Sequence, residues 1–579
     1  LGGGIVFIHS INRIIRNCDF VLKASFKTII DMINKIYLRN FLMKSYFQDL
    51  RLEFTEYNKM KLLQDLMAGA TVAAVALPLA LAFGVSSGAS AASGLITAIL
   101  AGFVISLFGG AYYQISGPTG AMAAILIAIT TQYGLTGVFV ATLMAGLLLI
   151  FAGLFHFGRV IAFIPMPVIT GFTSGIAVII ALGQIDNLLG VKASGITTLE
   201  KTINYFKMDL DINYISVFIC IFVVVFMLAY PKKYQKYAPA SLIALIVATL
   251  ISIIFSLDIQ RIGVIPTNII LDDRFAFSDF DILHLKELIT PAISIALLGM
   301  IESLLCGASG GRMVGVRLKC DRELIAQGLG NILVPFCGGV PATAAIARTS
   351  VAIKSGAVTR LTGIFHSIIL LVSMLVLAPI MSLIPLSALA GILFVTAFRM
   401  NEWHTIKYFF KNRFKGALVQ FFATMLATII FDLTIAILIG VILSLMLLMV
   451  QISNLKIKFD YFDSEKFTDL NSPLPQHIKQ AEVIYIMGAI IFSNTDKILE
   501  LTSRINYKTA IIFSMRGTTY MDISGASAFL EVIEAIKKRK IPVFIAGVSP
   551  DIKEIMKRSG IVEAIGVDNF YWSVEMTIK

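Results

Sequence analysis

The chain has 579 residues, of which 57% are hydrophobic and only 15% charged, with a mean hydropathy of +0.85. A soluble domain is about half apolar and about a quarter charged, so this composition excludes a soluble globular protein and points to an integral membrane protein with many spans. The net charge of +12 reads as basic residues gathered in cytoplasmic loops, not as a nucleic-acid surface.

Residues 1–60 mix apolar residues with Arg13, Arg16, Lys23 and Lys27. They show neither the uninterrupted apolar core nor the small-residue cut site of a signal peptide. They are expected to form a basic cytoplasmic arm lying on the membrane, in contact with lipid. The five cysteines (Cys18, Cys220, Cys306, Cys320 and Cys337) are odd in number and scattered, with no CxxC pair. No disulfide framework, metal site or cofactor is expected from them.

Residues 61–455 read as the membrane domain. A spanning helix needs roughly 20 apolar residues. Such runs begin near Ala68, Ser90, Gly134, Pro165, Asn213, Ala238, Pro291, Leu361, Gly416 and Leu433, with shorter ones near Thr119, Leu324, Pro341 and Leu386. The expected fold is all-α, with about fourteen segments. With the N-terminus inside, the loops after even-numbered spans hold Arg159; Lys232, Lys233 and Lys236; Arg312, Arg317 and Lys319; Lys354 and Arg360; and Lys407, Lys411, Arg413 and Lys415. The loop after the seventh span is acidic, with Asp258, Asp272, Asp273, Asp279, Asp281 and Glu287 outnumbering its bases. This pattern obeys the positive-inside rule and places both termini in the cytoplasm.

Two membrane segments are interrupted alike: QISGPTGAMAAILIAI (Gln114–Ile129) and GGVPATAAIARTSVAI (Gly338–Ile353). Proline suits the first helical turn, so each is expected to start a short helix inside the membrane, near Pro118 and Pro341. A helix start carries unpaired N–H groups and partial positive charge, which an anion can use. Repeat-built transporters place such starts around a midplane site. Pro118 and Pro341 lie 223 positions apart, and the same offset maps Ala68 onto Pro291 and Leu79 onto Glu302. Plain close packing of small residues is the competing reading.

Glu302 is an acid in the otherwise apolar run ISIALLGMIESLLCGASGG. A mid-membrane charge costs about 3 kcal/mol on insertion scales. Glu302 is therefore a neutral structural group, a proton carrier or a cation ligand, and burial favours the proton role by raising its affinity for a proton. Arg348 is expected two turns into the second half-helix. It either adds positive field to an anion site or anchors the helix by snorkelling or by pairing with Glu302. Thr119 and Thr343 offer hydroxyls near the two helix starts, and Phe83 either walls the site or packs in the core.

Residues 456–480 read as a linker. In 481–579, EVIYIMGAIIF, TAIIFSM and IPVFIAGV read as strands, and SGASAFLEVIEAIKKRK and DIKEIMKRSG as helices, the second closed by Gly560. This is a small cytoplasmic α/β domain.

IESLLCGASGGRMVGVRLKCDRELIAQGLGNILVPFCGGVPATAAIARTS, QISGPTGAM and GFTSGI together closely resemble the sulfate permease (SulP) family of anion transporters. The C-terminal domain, with its MDISG loop, resembles the STAS domain these proteins carry. The resemblance covers nearly everything from Asp65 onward. It implies fourteen segments in a seven-plus-seven inverted repeat, a gate and a core, a homodimer, an elevator motion, and residence in a bacterial cytoplasmic (inner) membrane. By motif, the substrate site would include Phe83, Thr119, Gly120, Thr343, Ala344, Ala345 and Arg348, with Glu302 as the coupling acid. In the STAS loop it points to Asp522 and Ser524 as regulatory positions. Ser524 is either a phosphorylation site or a helix N-cap, and the domain could dock a cytoplasmic partner.

The chain departs from the pattern at Leu79, where many members have a polar residue. Sodium-coupled bicarbonate members carry Asp and Thr where this chain has Glu302 and Cys306. A thiol is a poor ligand for a hard cation, which favours protons over sodium. The expectation is a proton-coupled symporter of an inorganic anion (sulfate or bicarbonate) or, from the likeness to dicarboxylate-type members, a C4-dicarboxylate. The alternative is an uncoupled channel or exchanger with Glu302 structural. A nucleobase permease lacks the two motifs and the tail. A signalling protein acting through its STAS domain is a further alternative. An enzyme is not expected, because no nucleophile and base cluster.

Overall fold

Long apolar helices dominate the described part of the computed structural model, which comprises residues 43–159, 164–191, 198–205, 207, 211–231, 233, 239–276, 285–431, 433–463, 480–505 and 510–578. The expectations on residues 1–42 (with Cys18), on Lys232, Lys236, Asp279 and Asp281, and on linker residues 464–479 lie outside these. The chain divides into two units, Leu1–Val441 and Ile442–Lys579.

The first unit begins with α1 (Met43–Glu53), α2 (Lys59–Ser86), α3 (Ala91–Phe108), a short strand β1 (Ser116–Gly117) and α4 (Gly120–Leu154). It continues with α5 (Met166–Gly183), α6 (Tyr214–Ala229), α7 (Ala240–Ile254), α8 (Leu285–Val314) and α9 (Cys320–Leu333). A second short strand, β2 (Thr343–Ala344), precedes α10 (Ile346–Lys354), α11 (Leu361–Met381), α12 (Leu386–Met400) and α13 (Lys415–Ile430), and α14 (Leu433–Ile452) carries the chain across the boundary at Val441. Among the described residues seven helices are long and apolar enough to cross a membrane, and α6, α7 and α13 are shorter apolar ones. The break expected near Gly134 is real: α4 changes direction there, where Gly134 takes φ 69°, a backbone region that glycine enters without penalty.

Two groups of helices result. α2, α3, α4, α8, α9, α10 and α11 pack together, and α5, α6, α7, α12 and α13 form the other group. Small residues allow this closeness. A Cβ on Gly84 would lie 2.8 Å from the Gly94 nitrogen, so α2 and α3 touch backbone to backbone. A Cβ on Gly391 of α12 would lie 2.8 Å from the Cys220 carbonyl of α6.

Several expectations are corrected. The first long helix begins at Lys59, ahead of Ala68, because Asn58 caps it by accepting a hydrogen bond from Lys61 N. The second half-helix begins at Ile346, five residues after Pro341, because Thr343 and Ala344 pair as a strand first. Neither proline therefore occupies a first helical turn. The caps Thr119 and Ala345 lie 226 positions apart, as do Gly134 and Arg360, so the offset of 223 was set three residues short.

Residues 43–53, within the expected interfacial arm, form α1, and α1 is clasped to the first unit. Glu53 accepts three hydrogen bonds from Nε and Nη2 of the buried Arg360 guanidinium, at 2.7–3.2 Å. Asp49 pairs with Arg322 at 2.6 Å and with Lys319. The Tyr46 ring lies under both Arg322 and Arg360.

Asp65 is the node beside this clasp. It is fully buried, and its carboxylate accepts from Val358 N, Thr359 N, Thr359 Oγ1, Thr362 Oγ1 and the Tyr57 hydroxyl, at 2.6–3.0 Å. Burial, then the hydrogen bond to Asp65 and its charge, push the Tyr57 hydroxyl up to about 12, so it stays a donor at neutral pH. This ties α2 to the start of α11.

In the second unit a five-stranded sheet has the order β3 (Lys456–Asp463), β4 (Gln480–Ile490), β5 (Ala510–Met521), β6 (Val543–Ala546), β7 (Phe570–Tyr571). β3 is antiparallel to β4, and the remaining pairs are parallel. β3 falls where a linker was expected. The alternation in KIKFDYFD is short, and its pairing with β4 reveals it only in the fold. The amphipathic helix α15 (Ile523–Lys538) buries Phe529, Val532, Ile533 and Ile536 on the sheet, with Phe529 edge-on to Phe513. The helix α16 (Pro550–Arg558) is followed by Gly560 at φ 82°.

Asp65→Ala leaves the donors of Val358, Thr359 and Thr362 at the start of α11, and the Tyr57 hydroxyl before α2, without their acceptor. It is expected to cost about 3 kcal/mol of stability, read as a lowered melting temperature in detergent.

Candidate substrate site

β1 and β2 are the centre from which the site is built. Ser116 pairs with Ala344 and Gly117 with Thr343, antiparallel, so the starts of α4 and α10 are held side by side. The Ala345 amide also donates to the Ile115 carbonyl at 3.0 Å. The first-turn N–H groups of a helix have no partner within it, so two such sets converge here.

Thr119 caps α4, and its hydroxyl donates to Glu302 Oε2 of α8 at 2.9 Å. Glu302 is half-buried. Gly120 lies against Phe83: a Cβ there would be 3.1 Å from the Phe83 ring and 2.5 Å from Ile180. Thr343 is fully buried and exchanges a hydrogen bond with Ser303 at 2.9 Å, and Ser303 Oγ accepts from the Ala344 amide at 3.3 Å. Arg348 stands in the first turn of α10, not two turns in, because that helix starts late. It is 1% exposed, and its Nη2 donates to the Pro118 carbonyl at 2.7 Å. Its Nη1 lies beside Gly117, where an added Cβ would be 2.7 Å away.

The structure thus brings Phe83, Thr119, Gly120, Glu302, Thr343, Ala344, Ala345 and Arg348 together around one strand pair. Thr119 is the partner of Glu302, and the Pro118 carbonyl is the partner of Arg348. Cys306 donates instead to Thr349 Oγ1 at 3.2 Å. Asp522 and Ser524 belong to the second unit. The cap of α15 is Asp522, whose Oδ1 accepts from Gly525 N at 2.7 Å and whose Oδ2 accepts from Phe492 N. Ser524 is not the cap. It stands exposed in the first turn, because the helix already begins at Ile523.

Sequence reasoning missed the side chains that hold the strands. On α9, Glu323, Gln327 and Asn331 form one fully buried polar stripe. Glu323 Oε2 accepts from Gly110 N and Ala111 N, and Gln327 donates to Ser116 Oγ and Glu323. Asn331 accepts from Ala342 N and donates to the Ala342 carbonyl, at 2.8 and 2.9 Å. From α3, Thr97 makes the same two-way pairing with Val340. The signal was present: three polar residues spaced by four along an apolar helix share one face.

The pattern for the sulfate permease family matches residues 62–424, and that for the STAS domain matches residues 472–576. The chain belongs to the sulfate permease family. Members of this family are membrane anion transporters, not enzymes, and this chain is a multi-pass member with a C-terminal STAS domain. Among its relatives is YvdB of Bacillus subtilis, named as a candidate sulfate transporter. YvdB is 33% identical over 90% of this chain and 97% of its own length. The transmembrane domain of a cyanobacterial bicarbonate transporter, BicA, is 32% identical over 66% of this chain and 98% of that domain, with a TM-score of 0.60. The murine Solute Carrier 26 family member A9 anion transporter, in its inward-facing state, shares the fold: TM-score 0.79 at 16% identity, over 96% of this chain and 97% of that one.

Asn331→Ala removes both bonds to Ala342 and loosens β2 without changing Phe83, Thr119, Gly120 or Arg348. In this member of the sulfate permease family, anion affinity is expected to fall about tenfold, a loss on the scale of one buried hydrogen bond, measured by equilibrium binding to purified protein.

Proposed function

We propose that the protein is a secondary active transporter that moves an anion together with protons. The observation that carries this reading is the 2.9 Å bond between Thr119, the cap of one half-helix, and the Glu302 carboxylate. The anion would sit at the converging N-termini of α4 and α10, walled by Phe83 and Gly120, with the Arg348 guanidinium supplying positive charge behind it. An ionised Glu302 beside that place repels an anion, and a protonated one does not. Proton binding and anion binding therefore favour each other, and the coupling is reciprocal. A loaded site then carries both ligands together.

The substrate class is an inorganic anion such as sulfate or bicarbonate, or a C4-dicarboxylate. Cys306 in place of a hydroxyl favours protons over sodium. The same bond to Thr119 would also serve a purely structural Glu302, and the protein would then be an uncoupled channel or exchanger. The family resemblance supports a homodimer in a bacterial inner membrane that moves by an elevator mechanism. Both termini would be cytoplasmic, and the STAS domain would receive a partner near Asp522 and Ser524.

Proteoliposome uptake of labelled sulfate, bicarbonate, succinate and fumarate, with and without an inward proton gradient, tests this. One anion is expected to accumulate only with the gradient. Glu302→Gln is expected to abolish accumulation while leaving anion binding intact. Unchanged accumulation in that variant would refute the coupling role.

A further inference from the structure

The connection between α12 and α13 holds a nine-residue helix, Trp403–Lys411, that is both basic and aromatic. It buries Ile406 and Phe409. Residues three and four apart share a helix face, so Trp403, Lys407, Phe410 and Lys411 line a different side, and all four are exposed. The two rings continue the apolar surface of the neighbouring helices. Trp403 stands with its ring centre 5.0 Å from that of Phe398 of α12, and Phe410 stands 6.1 Å from Phe422 of α13. These four rings are 41–58% exposed. Phe422 lies two turns into an apolar helix, so the group sits where bilayer meets water, the usual level of such aromatic rings.

The charge is as one-sided. Residues 403–415 hold Lys407, Lys411, Arg413 and Lys415 and no acid. The preceding acid, Glu402, accepts a hydrogen bond from Thr170 of α5 at 3.1 Å. Among the described residues none of the four bases has an ion-pair partner. Arg413 takes φ 54° just past the helix end. Its N–H donates to the Phe410 carbonyl and the Phe414 N–H to the Phe409 carbonyl, both at 3.2 Å. Glycine makes this helix-ending turn without strain and a bulky residue does not, so the turn alone gives no reason for an arginine. The positive-inside rule accounts for bases in such a loop, but it requires neither exposed rings beside them nor a strained arginine.

We propose that this stripe and turn are a docking surface for anionic phospholipid. The rings sit among the upper acyl chains, and Lys407, Lys411 and Arg413 hold headgroup phosphates at the surface. A basic cluster beside a spanning helix attracts anionic lipid in this way. The inference needs neither the anion site nor proton coupling.

Trp403 reports on the surface itself. In full-length protein carrying Trp572→Phe it is the one remaining tryptophan. This parent is reconstituted in phosphatidylcholine vesicles with a minor fraction of phosphatidylglycerol, with bromine on the acyl chains of one lipid or the other. Bromine quenches a tryptophan that it touches, so the two quenching curves give the preference of the site for the anionic lipid. The preference is expected to exceed about tenfold, and Lys407→Gln, Lys411→Gln and Arg413→Gly are each expected to lower it about fivefold, the scale of one base at an anionic surface. Arg413→Gly is expected to do so with a melting temperature equal to or above the parent, because glycine relieves the turn. Equal quenching by the two lipids, or an unchanged preference in all three variants, overturns the proposal. No quenching by either lipid means that protein covers the helix, which overturns it as well. A loss of preference confined to variants with lowered melting temperatures means that the bases only hold the helix in place, and the proposal falls.

Discussion

A backbone amide or carbonyl at membrane depth has no water to bond, and leaving it unpaired costs several kcal/mol. The whole first unit is arranged around paying that requirement where the helices break. β1 and β2 satisfy each other, and α9 and α3 send Gln327, Asn331 and Thr97 to meet what the strands leave over. The strands are only two residues long each, too short to stand alone. Their stability is borrowed from the buried side chains around them. With these groups matched, the starts of α4 and α10 are held side by side by the strand pair.

This arrangement separates the groups that hold the strand pair from those at the helix starts. Ser303 and Thr343 bond each other and fix β2 against α8, while the neighbouring Glu302 turns to Thr119. Adjacent residues on one helix thus face different partners: Ser303 bonds Thr343 of β2, and Glu302 accepts from Thr119, the cap of α4. Arg348 spends one nitrogen on the Pro118 carbonyl, which sets its position relative to the first half-helix. A charge placed this way acts on both halves of the site at once.

The membrane class, the break at Gly134, the two interrupted segments and the α/β tail were legible in the sequence, because each rests on a local pattern of apolar periodicity or of glycine and proline. The site residues Thr119 and Glu302 were named from chemistry and motif, and the fold brings them into contact. What local patterns could not convey was pairing across the chain. Nothing near Pro341 announces that Thr343 will find Gly117, so the helix was started too early. Arg348 was then placed a turn too deep. Ser524 looked like a cap because serine favours that role, yet Asp522 precedes it and takes the position. Glu53 and Asp49 read as arm residues, since their arginine partners lie some three hundred positions away.

The pairing of β1 with β2, and of Asp65 with Thr359 and Thr362, has a bearing on how such a protein can arise. Each half of the chain carries buried polar groups that find partners in the other half. A gene encoding one half alone would yield a product with its polar interior exposed to lipid, unless a second copy inserted in the opposite orientation supplied the complement. Joining the copies removes that dependence on chance encounter, and afterwards the halves are free to diverge. At the offset of 226 that relates the two caps, Glu302 of α8 stands opposite Ala76 of α2, so the two halves differ at this turn by an acid against a methyl group.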